Sequence, residues 1–101
     1  MSYKVIWRPS SELTYFDEID FIYRKWNNIE VQKFQELVFE NLSRLIENPE
    51  IGLYNNDLKY YSFVLSKQTT LYYDFDKENK IIELYLFWNN LKNPNDLAKL
   101  L

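Results

Sequence analysis

The chain has 101 residues, no Cys, no His, only three Arg, 47% hydrophobic and 19% aromatic residues, and a formal charge of −3. That length supports one domain, residues 1–101, around a single two-layer core. The missing Cys excludes disulfides, thiolate nucleophiles and Cys-ligated metals, and the acidic balance argues against direct attachment to DNA, which needs Lys and Arg to displace counterions.

Residues 3–7, YKVIW, read as a first strand, stopped by Pro9. Ser10 or Ser11 then offers an N-cap hydroxyl with Glu12 in the first turn, a good helix start. Leu13, Phe16, Ile19, Tyr23 and Trp26 recur at spacings of three and four, which predicts one helical stripe ending near Trp26. Asn27-Asn28 is a tight polar connection in which either residue can cap the next helix. That second helix carries Phe34, Leu37, Val38, Leu42, Leu45 and Ile46 on one side and a Glu40–Arg44 pair on the solvent side. Asn48-Pro49 ends it.

Glu50 to Lys59 reads as a loop, and the chain's single glycine, Gly52, suggests a backbone angle that other residues tolerate poorly. Three strands follow at Tyr60–Ser66, Thr69–Asp76 and Lys80–Trp88, with breaks short enough for an antiparallel meander. Alternation places Phe63, Leu65, Leu71, Tyr73, Phe75, Ile82, Leu84 and Leu86 toward the helices. Val64, Tyr72, Asp74, Glu83, Tyr85 and Phe87 then face the other way, where a partner, a second copy in a homodimer, or the tail Pro94–Leu101 must cover them. The expected fold is α+β, β-α-α-β-β-β, with the helical hairpin on one face of a four-stranded, mainly antiparallel sheet and a short C-terminal tail or helix. No leader precedes the first strand, and no run approaches the roughly 20 apolar residues of a membrane span. A cytoplasmic protein without membrane contact is expected.

This order, carried by YKVIWRPSS (3–11), NPEIG (48–52), LSK (65–67), LYYDFD (71–76) and FWNNLKNP (87–94), resembles the RelE/ParE family of type II toxin–antitoxin toxins, which includes plasmid stabilisation proteins of bacteria. The resemblance implies a compact toxin that inhibits growth and is neutralised by a cognate antitoxin protein. Its ribonuclease members gather cations on the sheet, because cleaving RNA needs a base, an acid and positive charge at the phosphate. Related sequences often carry basic residues where this chain has Tyr61, Asp74 and Leu91, so the chain looks ParE-like rather than RNase-like. DNA gyrase is then the implied target.

The alternative is a ribosome-dependent mRNA interferase, with Lys59, Lys67, Tyr72 and Lys92 as the candidate catalytic set. Asp74 and Glu83 oppose it by repelling phosphate, and exposed lysines are the ordinary reading. A third reading is a decayed toxin that keeps only the fold and antitoxin binding. Asp74, Asp76 and Glu83 can be read as a carboxylate cluster for Mg²⁺, but nothing fixes an octahedral arrangement, so no metal or cofactor is expected. Aromatic anchors dominate protein–protein binding energy, which makes Tyr72, Tyr85, Phe87 and Trp88 the candidate partner-binding residues; the ordinary reading of Trp88 is the rim of the core. A binding protein rather than an enzyme is the leading expectation.

Overall fold

The structure, a computed structural model, describes residues 2–101, with Ala98 given by its backbone alone. Strand β1 (Lys4–Trp7) leads into helices α1 (Pro9–Lys25) and α2 (Asn28–Glu47), then a 3-10 turn (Pro49–Ile51). Strands β2 (Leu53–Asn55), β3 (Tyr60–Val64), β4 (Thr69–Asp76) and β5 (Ile81–Asn89) follow, then a 3-10 turn (Pro94–Asp96) and helix α3 (Leu97–Leu100). The sheet has five strands in the order β1-β5-β4-β3-β2, antiparallel except for the parallel β1/β5 pair. Among the described residues no helix is long and apolar enough to cross a membrane.

The α+β architecture agrees with the expected one, with one strand added. Leu53–Asn55, read from sequence as loop, pairs with β3 as a three-residue edge strand too short to give a periodic signal. Gly52 just before it has φ −75° and ψ 172°, an ordinary extended conformation. The glycine is needed for space instead: a Cβ would fall on the Tyr73 hydroxyl and lie 2.8 Å from the Ser62 carbonyl oxygen. Left-handed backbone occurs at Lys59 (φ 64°) and Lys80 (φ 56°), which close the β2–β3 and β4–β5 turns.

Helix α1 does not bury the whole apolar stripe that its spacing marks. Its N-cap is Arg8, with Pro9 at the first helical position, where a missing N–H costs nothing. Leu13, Phe16 and Tyr23 are exposed, and the buried side carries Ser11, Glu18 and Ile22. The inward side is mixed: Tyr15, Ile19 and Ile22 pack into the core, while polar side chains beside them serve the sheet. Strand β1 ends opposite Leu84, so beyond that point β5 has no strand on its outer edge. Ser10 Oγ donates to the Tyr85 carbonyl (2.6 Å), the Phe87 N–H donates to Thr14 Oγ1 (2.9 Å), and Glu18 accepts from the Thr69 hydroxyl (2.6 Å). Ser10 and Thr14 thereby stand in for the missing strand, and Glu18 ties the helix to the side chain at the start of β4.

Helix α2 follows its periodicity, burying Val31, Phe34, Val38, Asn41 and Leu45, and Asn27 Oδ1 caps it at the Glu30 N–H (3.0 Å). Arg44 does not pair with Glu40; it donates to Asn41 Oδ1 (3.3 Å) and lies over the Phe63 ring. The main core joins these helices to Leu71, Tyr73, Ile82, Leu84 and Phe87. Phe87 stacks on Trp7 at 5.4 Å and packs against Tyr15 at 5.3 Å.

That position of Phe87 corrects the predicted phase of β5. Tyr72 pairs with Leu86 but Tyr73 with Leu84, a β-bulge that leaves Tyr85 opposite no single residue. Past the bulge the faces exchange: Phe87 enters the helical core, whereas Leu86 and Trp88 turn to the reverse face. There they form a second small core with Leu97, bordered by Leu58, Tyr72, Tyr85 and Leu101. Of the three covers expected for that face, the tail supplies one.

Candidate functional site

What the tail leaves open on the reverse face is a band of phenols and charges. β3 contributes Tyr60, β4 contributes Tyr72 and Asp74, β5 contributes Glu83 and Tyr85, and Arg8 reaches in from the β1–α1 corner. Asp74 and Glu83 are direct cross-strand partners. The Tyr60 and Tyr85 rings lie 4.6 Å apart. Arg8 Nη1 donates to Glu83 Oε2 at 3.1 Å, and its guanidinium carbon sits 5.3 Å from the Tyr85 ring centre.

Burial pushes the Tyr72 phenol above its ordinary pKa. Tyr85 is raised too, first by burial and then by the Glu83 charge, with Arg8 pulling the other way. Both shifts favour the neutral phenol, which can donate a hydrogen bond and presents its ring face.

The candidate residues are only partly brought together. Tyr72 and Tyr85 share this face and are half-buried. Trp88 lies on the same side but is buried beneath the tail, and Phe87 is 2% exposed on the opposite side, in the helical core, so it presents no contact surface. Lys59 closes the β2–β3 turn at one end of β3, whereas Lys67 sits in the β3–β4 turn at the other. Lys92 follows the end of β5 and borders a depression shared with Asp17 and Asp20 of α1. The three lysines thus flank the sheet rather than converge on Tyr72. Among the described residues no three carboxylates gather either, and Asp76 is engaged by Asn79 and the turn backbone.

Arg8 and Tyr60 belong to the band although sequence reasoning did not single them out. Tyr60 is legible from parity, since it alternates with the helix-facing Tyr61 and Phe63. Arg8 becomes visible only once β1 is paired beside β5, which places the residue after the strand next to Glu83.

A second surface lies on the hairpin. A groove of about 220 Å³ runs between the helices and the β3–β4 turn, with Ile22, Trp26, Phe34 and Leu37 as apolar walls and the Glu30–Lys33 ion pair on its lining. Leu13, Phe16 and Tyr23 are exposed elsewhere on α1.

No family model and no curated protein matches the sequence. Solved structures do match. The toxin–antitoxin complex RelBE2 from Mycobacterium tuberculosis contains a chain that superposes with a TM-score of 0.60 at 15% identity, covering 89% of this chain and 100% of that one. The YoeB/ParE toxin from Agrobacterium tumefaciens superposes with a TM-score of 0.58 at 17% identity, covering 86% of this chain and 98% of that one. The chain has the RelE/ParE toxin fold. At these identities the likeness is one of fold, and it extends over nearly the full length of both neighbours. Within the RelE/ParE fold the phenol band occupies the side of the sheet opposite the helical hairpin, and the tail closes one end of it.

Proposed function

We propose that this chain is the toxin of a type II toxin–antitoxin system and that it acts by binding another protein. The observation that carries the reading is the agreement of its fold, over nearly all of both chains, with a chain of a toxin–antitoxin complex and with a protein described as a toxin. Binding rather than RNA cleavage is favoured by the site's chemistry: the phenols Tyr72 and Tyr85 are raised away from base function, and Lys59, Lys67 and Lys92 lie apart. Tyr72 and Tyr85 are the partner contacts in this reading.

The cognate antitoxin lays an amphipathic segment along the hairpin, where Leu13, Phe16 and Tyr23 are exposed and the 220 Å³ groove accepts a large apolar side chain. The uncharged edge strand β2, with Leu53 exposed, offers main-chain hydrogen bonds to an extended continuation. By the resemblance to ParE, DNA gyrase is the target to test first.

Induced expression in bacteria, scored for growth arrest and filamentation, tests the reading together with supercoiling and translation assays in vitro. Arrest with inhibited supercoiling and intact message is the expected result. Message cleaved only in the presence of ribosomes would make the chain an mRNA interferase, and harmless overexpression would make it a decayed toxin.

A further inference from the structure

The open band of the reverse face contains an electrostatic conflict. Asp74 and Glu83 stand directly opposite each other on β4 and β5, an arrangement of like charges that weakens a sheet. Arg8 relieves half of it by pairing with Glu83. Asp74 accepts only from the neighbouring Phe75 N–H (2.8 Å), and among the described residues no cation pairs with it. Tyr60, Tyr72 and Tyr85 stand on the same face of β3, β4 and β5 as this carboxylate.

We propose that the face is built to receive an arginine side chain from the protein's partner, its guanidinium paired with Asp74 and stacked on the phenol rings. Charge complementarity selects the occupant. Asp74, Glu83 and Arg8 leave the band one negative charge in excess, and a guanidinium both neutralises it and presents a flat surface to an aromatic ring. Arg8 already adopts this pose, bonded to Glu83 while lying over Tyr85. The incoming arginine repeats it on the Asp74 side. The inference rests on the reading of this face as a docking surface. Its test uses the isolated chain, so an absence of toxicity or of any gyrase effect leaves it standing.

The probe is N-acetyl-arginine amide, titrated into the ¹⁵N-labelled protein, with N-acetyl-citrulline amide as the uncharged isostere. Saturable shifts confined to the amides around Tyr60, Asp74, Glu83 and Tyr85 are expected from the arginine probe, with binding about fivefold or more tighter than for citrulline. Asp74→Asn should weaken the arginine probe by a similar factor while its Tm stays level or rises, because the substitution removes the like-charge pair. Equal binding of both probes, undiminished binding to D74N, or shifts spread evenly over the acidic surface of α1 would overturn the proposal. A lowered Tm in D74N would overturn it as well, since Asp74 would then be holding the sheet together.

Discussion

Tyr73 is the residue through which the loop after α2 is locked to the sheet. Its ring is fully buried, its hydroxyl donates to the Pro49 carbonyl (2.6 Å), and it accepts from the Gly52 N–H (3.1 Å). Tyr73→Phe strands both backbone groups and should cost about 1–3 kcal/mol in urea denaturation. Gly52→Ala drives a methyl onto the same hydroxyl and should cost a similar amount. The two losses should add to less than their sum, because each breaks the same contact. Burial also pushes the Tyr73 phenol up to about 12. In the unfolded chain it ionises near 10, so the unfolded state releases its proton first. The contribution to stability is complete below pH 10 and declines as pH rises to 12, by a total of about 2–3 kcal/mol. Equilibrium unfolding across that range should show the decline in the wild type and a shallower one in Tyr73→Phe.

The contact between α1 and β5 shows where an element's sequence is informative and where it is silent. Spacing of Leu13, Phe16, Ile19 and Tyr23 identifies a helix correctly, yet of these only Ile19 packs against the core. Periodicity reports only that two sides differ, and here the inward side mixes Tyr15, Ile19 and Ile22 with Ser10 and Thr14, which complete the hydrogen bonds of a strand edge. The meander and the helix-facing residues through Leu84 were legible from alternation alone. Leu86, Phe87 and Trp88 were not, because a bulge at Tyr85 shifts parity by one residue without a glycine or proline to announce it. Thr14→Val tests the cause. It keeps the shape of the side chain but removes the acceptor of the Phe87 N–H, at a cost of about 1–3 kcal/mol. Hydrogen exchange at the Phe87 amide should accelerate more than at Leu84, which lies where β1 still pairs. Equal acceleration at both would mean that the helix edge contributes no local bond.

On the scale of the whole molecule, two cores of unequal strength share one sheet. The helical side joins α1, α2 and four strands, whereas the reverse side holds Leu86 and Trp88 under a tail anchored by Leu97 and Leu101. A four-residue helix has no stability of its own, so the tail stays in place only through those side chains. The composition announced a surplus: 19% aromatic residues exceed what one helical layer covers, and part of that surplus, Tyr60, Tyr72, Tyr85 and Trp88, lies on the reverse face while Phe16, Tyr23 and Phe39 are exposed on the helices. It could not say which cover would be used, because an eight-residue tail with three leucines fits docking on itself and docking on a partner equally well. Leu97→Ala should remove about 2–3 kcal/mol of burial, enough to release the tail while the helical core remains intact. The Trp88 indole N–H resonance should then move toward its solvent position while the global urea midpoint changes little. A large fall in that midpoint would show that the two cores unfold as one unit and that the tail is part of the cooperative fold rather than a detachable cover.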